Sequence, residues 1–342
     1  MEAIILAGGF GTRLRPFTFT RAKSLLPILN KPMVTYIIDS LPPEVDTVIL
    51  AVNYRRDQIQ EYIDSLHLPQ TIIVNQEPQP LGTGGAAKFA QQYITGRFFV
   101  LNADIIASIS LEQMLRAHEK NKAEASISLW PMDNVSEYGV VQITADKKIT
   151  KFVEKPRPQD APSNLINAGA YLLEQSVLDY IEPGRLISME KEIFPRIIHD
   201  TGRFYGYEFP GYWIDVGRIS SYLDINQRLL KEHHQNYLAG RHCTIHGKLT
   251  TTCLGDDVTV GPESVVDSSV IFTGATVGAH ATVRRCVLGE HCRIGDDAVL
   301  EDAAVGDNET IAPHTTLHNT IVWTQSIPPG YPAKQIGNVL GE

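Results

Sequence analysis

The sequence predicts an α/β protein in which a Rossmann-like mixed sheet, mostly of parallel strands, is followed by a left-handed parallel β-helix. In the first two thirds of the 342 residues, short apolar runs alternate with amphipathic helical patterns. From about residue 241, an aliphatic residue followed by glycine recurs, and some of the copies are six residues apart. Alternating strands and helices indicate a sheet covered on both faces, and a six-residue period indicates a parallel β-helix.

The α/β pattern extends to residue 232, and we expect a catalytic domain over 1–235 with a polar linker at 233–240. Strands are predicted at Ala3–Ala7, Thr47–Val52, Thr71–Val74, Phe98–Ala103, Ser126–Leu129, Tyr138–Ile143, Ile149–Glu154, Ile166–Leu173 and Phe204–Phe209. Helical segments are predicted near Pro32–Leu41, Asp57–Leu66, Gly84–Tyr93, Leu111–Asn121, Ser176–Ile181, Met189–His199 and Ser220–Glu232. Ligands of such sheets bind at the carboxyl ends of the strands.

The glycine repeats define the second domain. The aliphatic–glycine pairs begin at Leu254, Val260, Val277, Leu288, Ile294 and Val305. We expect each aliphatic side chain to stack inward on its copy in the next coil, and each glycine to allow the corner. Hexapeptide repeats resemble the left-handed β-helix, an exception to the usual right-handed crossover. About 70 residues of repeats at about 18 residues per coil predict roughly four coils. The β-helix domain is expected at 241–325 and is followed by a tail at 326–342.

Composition and charge exclude several classes of protein. The formal net charge of −9 argues against a general nucleic-acid binder, which needs a basic face. No apolar run approaches the roughly 18 residues of a membrane span, and the N-terminus has no basic signal region. The four cysteines (Cys243, Cys253, Cys286 and Cys292) form no C-x-x-C pair, so we expect free thiols rather than a zinc site or disulfides. A cytoplasmic location is therefore expected.

The first predicted strand runs into a glycine loop that carries two cations. The loop reads Gly8-Gly9-Phe10-Gly11-Thr12-Arg13, and Lys23 follows ten residues after Arg13. It is neither the dinucleotide fingerprint, because Leu14 occupies the place of the third glycine, nor the mononucleotide P-loop. Glycines let backbone N–H groups approach phosphates, and the two cations can neutralise them. The loop therefore predicts a nucleoside triphosphate or a related polyphosphate as ligand.

This run resembles the signature of the sugar-1-phosphate nucleotidylyltransferases. The resemblance continues in the family's order through Asn30–Met33, Pro80–Gly85, Leu101–Asp104, Val153–Pro156, Asn167–Gly169 and Tyr212–Gly217. It implies the reaction of a nucleoside triphosphate with a sugar 1-phosphate to give a nucleotide sugar and pyrophosphate. Because the attacking phosphate oxygen is already ionised at neutral pH, the reaction needs no general base. Catalysis is then positioning plus charge neutralisation.

The resemblance also implies a role for individual residues. Arg13, Lys23 and Asp104 are the expected catalytic residues: Arg13 stabilises the departing pyrophosphate, and Lys23 lies between the triphosphate and the sugar phosphate. Asp104 and Asp215 are the expected Mg²⁺ ligands, a donor set that suits this ion. The expected nucleotide-binding residues are Leu6, Ala7, Gly8, Gly9, Gly11, Thr12, Arg13, Gln76, Glu77, Gly82 and Thr83. The expected sugar-phosphate-binding residues are Tyr138, Gly139, Glu154, Lys155, Asn167 and Asp215, whereas Trp213 is expected to pack.

The segment around Glu77 bears on the base and the sugar. The carboxylate of Glu77 can accept hydrogen bonds from the N1–H and the exocyclic amine of guanine together. The segment Glu77–Thr83 is similar to the corresponding motif of the guanylyltransferase branch of the family. Gln76 offers an amide instead, which suits uracil or thymine. We expect GTP, and mannose 1-phosphate by its association with guanine. The alternative sugars are a heptose, glucose or an N-acetylated sugar, and the alternative enzyme is a uridylyl- or thymidylyltransferase that acts on glucose 1-phosphate.

Two further alternatives concern the activity as a whole. A regulatory relative could bind nucleotide sugars without turnover, although Arg13 and both aspartates are present. The β-helix could be an acyltransferase, since Ile327–Lys334 resembles the end of such domains and His246, His280, His291 and His314 could supply a base. The structural alternative is that the open end of the β-helix pairs with another copy, which predicts a homo-oligomer.

Overall fold

The computed structural model describes residues 1–326 as two compact units. The first comprises Met1–Gly9 and Val34–Ile214, and the second comprises Phe10–Met33 and the residues from Asp215 onward. Residues Phe10–Met33, which include the second half of the glycine loop, therefore belong to the same unit as the β-helix. From the sequence alone, these residues are expected in the first domain. The predicted tail, including Ile327–Lys334, lies outside the described residues apart from Ser326.

The first unit is built on a nine-stranded mixed sheet. Four parallel neighbours form one side in the order Phe98–Asn102, Glu2–Leu6, Thr47–Val52 and Thr71–Gln76. The other strands are Ala125–Pro131, Gly139–Ile143, Ile149–Glu154, Leu165–Leu173 and Phe204–Glu208. Leu165–Leu173 runs antiparallel to both Phe98–Asn102 and Ala125–Pro131, and it thereby joins the four parallel strands to the rest of the sheet. Ile105–Ala107 and Trp213–Asp215 form a separate two-stranded sheet. The predicted mixed sheet is confirmed.

Helices flank this sheet at most of the predicted places. The α-helices are Met33–Asp39, Arg56–Asp64, Gly82–Phe89, Leu111–Asn121 and Phe194–Asp200. Gln91–Tyr93, Pro158–Asp160 and Gln175–Tyr180 are 3₁₀-helices, and Met189–Ile193 is a π-helix. Two predicted helical segments are confirmed but are not simple α-helices: the segment near 176–181 is a 3₁₀-helix, and the segment near 189–199 is a π-helix that continues into an α-helix. Pro32 lies in a short strand directly before its helix instead of in the first turn.

Apolar side chains on the two faces of the sheet form the core of the first unit. Phe98 and Val100 of the central strand are fully buried beside Ile4 and Ile49 of the neighbouring strands. Full burial on both faces is the reason that these strands are continuous apolar runs without alternation.

The second unit begins with a short irregular segment and a long helix. The segment contains the 3₁₀-helices Thr12–Leu14 and Lys23–Leu25, the α-helix Phe17–Thr20, and the strands Pro27–Ile28 and Lys31–Pro32. The long helix is Ile219–Glu232. Leu29 donates its N–H to Asn226 Oδ1 of this helix at 2.9 Å, and the Tyr222 hydroxyl bonds to the Pro27 carbonyl. The segment is therefore fastened to the helix that precedes the coil.

The β-helix consists of three parallel sheets, the arrangement expected of the left-handed form. One sheet contains Tyr237–Ala239, Thr252–Leu254, Val270–Ile271, Val287–Leu288, Ala304–Val305 and Ile321–Val322. The second contains Thr244–Ile245, Thr259–Val260, Thr276–Val277, Arg293–Ile294 and Thr310–Ile311. The third contains Lys248–Thr250, Val265–Asp267, Thr282–Arg284, Val299–Glu301 and Thr316–His318.

The coil differs from its predicted dimensions. Thr259 pairs with Thr276, and Thr276 with Arg293, so a coil advances 17 residues instead of 18. Two of the sheets hold five strands each within the described residues, which makes five coils rather than four. The first paired strand, Tyr237–Ala239, lies in the predicted linker. The sequence pattern does not reveal it, because a three-residue strand is too short to show a period.

The repeated glycines are needed for close approach between coils. A Cβ on Gly255 would lie 2.6 Å from the backbone nitrogen of Thr273, and one on Gly289 would lie 2.5 Å from that of Asp307. The left-handed backbone falls two residues later, for example at Asp257 (φ 57°) and His291 (φ 55°). The predicted inward stacking of the aliphatic residues is confirmed, but the glycines themselves do not supply the positive φ of the corner. His280 and His314 are also such corner residues.

Candidate active site

In the first unit, three predicted site segments lie at the carboxyl edge of the parallel strands. Ala7 follows the strand that ends at Leu6, and its N–H bonds to Ala51 O at 2.9 Å. Asp104 follows the neighbouring strand, where Ala103 N bonds to Leu6 O at 3.3 Å. Glu77 follows the strand at the sheet edge. The register of the parallel strands thus places Ala7, which leads into Gly8 and Gly9, at the same edge of the sheet as Asp104, as expected for a ligand site in such a sheet.

Gly8 and Gly9 differ in what surrounds them. A Cβ on Gly8 would lie 3.1 Å from Asn53 Nδ2, a tight contact. Around the corresponding position on Gly9, no described atom outside the adjacent residues lies within 4 Å. The protein's own packing therefore does not require glycine at position 9. The exposed backbone there is open to a ligand such as a phosphate chain.

In the second unit, Gly11 brings Lys23 against the turn that carries Arg13. Gly11 has φ +62° and precedes the 3₁₀-helix Thr12–Leu14, in which Thr12 and Arg13 are exposed. A Cβ on Gly11 would lie 2.7 Å from Thr18 Cγ2 and 3.2 Å from Lys23 Cβ. Both the left-handed backbone and the close packing therefore require glycine at this position.

Arg13 and Asp215 meet beside Gly217. Arg13 Nη2 lies 2.9 Å, and Asp215 Oδ1 3.0 Å, from the position of a Cβ on Gly217. A side chain at position 217 would therefore displace the guanidinium and the carboxylate. The second unit thus brings together a predicted phosphate-binding cation and a predicted metal ligand that are far apart in the sequence.

Glu77 is held in a structural contact. Its Oε2 accepts the N–H of Leu81 at 3.0 Å, which closes the turn before the helix Gly82–Phe89. The residue is only 7% exposed, and burial raises the pKa of its carboxyl above the usual value, while the Leu81 N–H opposes that shift. Gln76 is exposed, since neighbouring residues of a strand point to opposite faces. Only one of these two side chains can therefore face a given base.

The glycines after Leu81 accommodate the segment Arg185–Ile187. Gly82 has φ +73°, and a Cβ on it would lie 2.6 Å from Ile187 O. The N–H groups of Gly84 and Gly85 bond to this same carbonyl at 2.9 and 3.2 Å. The helix N-terminus is thus satisfied by the chain itself. Gly82 was predicted to bind nucleotide, and here its conformation is explained by packing.

The strands that carry the predicted sugar-binding residues pair directly. Gly139 lies opposite Glu154, whose Oε2 would be 2.8 Å from a Cβ on Gly139. Lys155 has a left-handed backbone (φ 48°), bonds through its N–H to Tyr138 O at 2.9 Å, and keeps its ammonium 4.0 Å from Glu154 Oε1. Burial raises the pKa of Glu154, and repulsion from Glu190 adds to the shift. Gly139 thus leaves room for a half-buried carboxylate.

Trp213 is a packing residue, as predicted. Its indole N–H bonds to Ala168 O at 3.0 Å, and its ring meets Tyr138 edge to face at 5.3 Å between centroids. Tyr138 is thereby held beside the strand that carries Gly139.

Asn167 belongs to a partly buried hydrogen-bond chain. Its Oδ1 accepts from Gly169 N at 3.0 Å, and its Nδ2 donates to the Tyr171 hydroxyl at 2.9 Å. That hydroxyl donates to Glu190 Oε1 at 3.0 Å. Tyr171 is fully buried, and burial together with the charge of Glu190 raises its pKa well above the usual value. Tyr171 therefore remains a neutral donor to Glu190.

Glu190 is the residue that sequence reasoning missed. Its Oε2 accepts from Thr83 Oγ1 at 2.8 Å and from Ser188 Oγ at 2.6 Å. Thr83 was predicted to bind nucleotide, and it is engaged instead with this carboxylate and with Met189 N at 2.9 Å. No local signal distinguishes Glu190, because acidic residues are ordinary in the first turn of a helix. The π-helix that carries it is a rare element that occurs often at functional sites.

The available donors fit magnesium better than a transition metal. Asp104 and Asp215 are half-buried carboxylates at strand ends, and Mg²⁺ prefers such oxygens together with phosphates. Within residues 1–326, no group of three or more His, Cys, Asp and Glu side chains could hold a metal by itself.

All four cysteines are free thiols, as the sequence predicts. None of the helices in the described part of the chain is long and apolar enough to cross a membrane.

Comparisons with known proteins agree with this architecture. A family model described as "Nucleotidyl transferase" matches residues 2–232, and one described as "GMPPB C-terminal domain" matches residues 234–327. The chain is 37% identical over 302 residues to mannose-1-phosphate guanylyltransferase 1 of Arabidopsis thaliana, covering 84% of this chain and 82% of that one. It is 36% identical to mannose-1-phosphate guanyltransferase of Schizosaccharomyces pombe, covering 73% and 70%.

A solved structure shares the fold of about two thirds of the chain. HddC from Yersinia pseudotuberculosis, crystallised with GMP-PN, is 28% identical and superposes with a TM-score of 0.56. The match covers 67% of this chain and 99% of HddC. The similarity thus extends over the whole of the smaller protein.

Proposed function

The chain belongs to the nucleotidyl transferase family, and on that premise we propose that it is a mannose-1-phosphate guanylyltransferase. The proposed reaction joins GTP and mannose 1-phosphate to give GDP-mannose and pyrophosphate. The observation that carries the proposal is the 37% identity to relatives of that name over 84% of the chain. The complex of HddC with GMP-PN, a guanine nucleotide analogue, favours the same base.

The proposed role of the glycine loop is to bind the triphosphate. Gly9 offers open backbone, and the Gly11 turn presents the exposed Arg13 with Lys23 packed behind it. Positive charge held in advance at this place stabilises the negative charge that develops on the departing pyrophosphate. Bound Mg²⁺ would neutralise phosphate charge, with Asp104 and Asp215 as the proposed ligands.

The proposed role of Glu154, Lys155 and Asn167 is to bind the sugar phosphate. Lys155 presents a positive charge from a left-handed turn, and Glu154 is a half-buried acceptor for sugar hydroxyls. The amide of Asn167 is fixed by Gly169 and Tyr171, so its orientation is set before the sugar arrives. Preorganised groups of this kind lower the entropic cost of binding.

A pyrophosphate-release assay tests the proposal. The full chain is supplied with Mg²⁺, with GTP, UTP, dTTP, ATP or CTP, and with mannose 1-phosphate or glucose 1-phosphate. We expect the highest kcat/KM with GTP and mannose 1-phosphate, and loss of turnover when EDTA removes the metal. Preference for UTP or dTTP with glucose 1-phosphate would favour the alternative enzyme. Absence of turnover with every pair would favour a regulatory nucleotide-sugar-binding protein.

Variants of the two aspartates test the proposed metal site separately. Asp104→Asn and Asp215→Asn should each lower kcat by orders of magnitude while the chain remains folded. Near-normal activity of either variant would remove that residue from the mechanism.

We also propose that the β-helix makes the protein a homo-oligomer, since the last coil within residues 1–326 presents strand edges that can pair with another copy. Light scattering of the full chain measures this, and a mass near the 37.9 kDa of one chain would contradict it.

A further inference from the structure

The segment that carries Arg13 and Lys23 packs on the β-helix through aromatic residues. The ring of Phe17 meets Phe272 at 5.3 Å, and that of Phe19 meets Trp323 at 5.2 Å, between centroids. Pro16 Cγ lies 3.2 Å from the Cβ position of Gly306. These contacts reach coils that lie about 250 to 300 residues after the segment in the sequence.

A buried polar contact fixes the same segment. Asp307 Oδ2 accepts from Thr20 Oγ1 at 2.5 Å and from Arg21 Nη2 at 2.7 Å, and the Asp307 side chain is 5% exposed. Arg21 also lies 3.3 Å from Glu290 Oε1, and its guanidinium stands over the Phe272 ring at 4.7 Å. Since buried charges are costly without a partner, this ion pair holds Arg21 in one place.

Comparison with other coils shows that this contact is additional to the repeat. Asp256, Asp296 and Asp307 each follow a coil glycine, and each accepts through Oδ1 the N–H of a residue on the preceding coil, at 2.8 Å. That contact belongs to the coil. Asp256 also uses its second oxygen, which binds the Arg241 side chain of the preceding coil, whereas the second oxygen of Asp307 binds Thr20 and Arg21 of a segment outside the coil.

We propose that Asp307 and Arg21 are positioning residues for the nucleotidyl transfer. They fix the segment Phe10–Met33 to the coil, and this keeps Arg13 and Lys23 in place for the triphosphate. The β-helix is then part of the catalytic machinery as well as a surface for assembly. The inference rests on the proposed function, because it concerns the phosphate-binding cations of that reaction.

Asp307→Asn tests the inference, with Asp296→Asn as the matched control. Asparagine keeps an Oδ1 for the coil N–H in both variants, but at position 307 its amide opposes the Arg21 guanidinium. We expect kcat/KM for GTP to fall by about 10- to 100-fold in Asp307→Asn, with a raised KM for GTP and an unchanged KM for mannose 1-phosphate. Asp296→Asn should match the wild type. A variant that is merely unstable loses active molecules, which lowers kcat and leaves both KM values unchanged.

Limited trypsin digestion supplies a readout that is independent of activity. A loosened segment should be cut faster after Arg13 and Lys23 in Asp307→Asn than in the wild type, as mapped by fragment mass. If the wild type turns over no nucleotide but this difference appears, the proposed function fails and the structural contact stands. If the wild type is active and Asp307→Asn equals Asp296→Asn in kinetics and digestion, the inference is wrong.

Arg21→Gln repeats the test without altering the coil, in case Asp307→Asn does not fold. The double variant completes a thermodynamic cycle. If the two residues act through each other, the double variant loses no more kcat/KM than the worse single variant. Additive losses would contradict the inference.

Discussion

Thr83 donates a hydrogen bond from Oγ1 to Oε2 of Glu190 at 2.8 Å, across 107 positions of the chain. The other oxygen of Glu190 accepts from Tyr171, which in turn receives a hydrogen bond from Asn167. The helix that follows the expected base-reading turn and the asparagine expected to bind the sugar are therefore connected through one carboxylate. A change at Glu190 should affect both substrates.

Glu190→Gln should destabilise the protein and impair both binding steps. Three hydroxyl groups donate to this carboxylate, and an amide nitrogen in place of Oε2 cannot accept from two of them. We expect the free energy of unfolding to fall by about 2–3 kcal/mol, since hydrogen bonds to charged groups contribute about that much. We also expect KM to rise for GTP and for the sugar phosphate. Denaturant unfolding and steady-state kinetics measure the two effects.

Glu192→Gln is the matched control for that variant. Glu192 lies on the same π-helix, but it is exposed, and within residues 1–326 it accepts a single hydrogen bond, from Ser188 N at 3.2 Å. It should change stability by less than about 0.5 kcal/mol, as is usual for surface substitutions. Equal effects of the two substitutions would mean that the buried network has no special role.

Gly9→Ala should separate ligand binding from folding. The Cβ position of Gly9 is open, so alanine should leave the thermal midpoint within experimental error of the wild type. If phosphates approach the backbone there, the methyl group displaces them. Loss of one charge-assisted hydrogen bond of about 1.5–3 kcal/mol would raise KM for GTP roughly 10- to 100-fold. An unchanged KM would mean that the triphosphate does not approach Gly9.

Gly96→Ala and Gly85→Ala bracket this result. Gly96 is also open in the structure, and alanine there should alter neither stability nor KM. At Gly85 a Cβ would lie 2.6 Å from Arg185 O, a backbone atom that cannot move without shifting its segment. Gly85→Ala should therefore lower the thermal midpoint by several degrees, in contrast to Gly9→Ala.

The sequence predicts the elements whose pattern is local. Thr47–Val52, Ile149–Glu154 and Leu111–Asn121 have the predicted bounds, since each is a clear apolar run or an amphipathic helix with a cap such as Ser110. The aliphatic–glycine pairs of the coil were equally readable. Such patterns depend on neighbours within a few residues, which the sequence displays directly.

The parts that the sequence does not predict depend on distant partners. Glu190 acquires its role from Thr83 and Tyr171, and Asp307 acquires its second role from Arg21. In the sequence, Asp307 follows a coil glycine in the same way as Asp296, so nothing local indicates its contact with Arg21. Gly82 was expected to bind nucleotide, but the nearest atom to its Cβ position is the carbonyl oxygen of Ile187. Long-range contacts of this kind leave no periodic signal in the sequence.

Glu154→Gln should become more stable relative to the wild type as the pH rises. Burial and repulsion from Glu190 raise the folded-state pKa of Glu154 above 4.5, its value in the unfolded chain. Below pH 4.5 both states are protonated, and no penalty exists. As the pH rises from there through the folded pKa, the unfolded chain binds fewer protons than the folded protein, so the wild type loses stability relative to the variant. Above the folded pKa the difference is constant.

Urea unfolding of the wild type and Glu154→Gln between pH 4 and 8 measures this dependence. Burial also raises the pKa of Glu77, but Glu77 is present in both proteins, so its contribution cancels in the difference between their unfolding free energies. The same variant should bind mannose 1-phosphate more weakly if Glu154 contacts its hydroxyls, a trade between stability and function. A difference in unfolding free energy that does not vary with pH would show that Glu154 has the same pKa in both states.

Thiol labelling should distinguish Cys243 from the other three cysteines. Burial in the coil raises the pKa of Cys253 and Cys292 to about 12 and that of Cys286 to about 11, whereas Cys243 is partly exposed. Because the thiolate is the reactive form, the three buried thiols should react with an aromatic disulfide reagent only as fast as the coil opens. We expect one fast equivalent in the native protein and four in denaturant. Cys243→Ser should abolish the fast phase alone, and rapid reaction of further thiols would mean that the coil core is not packed as described.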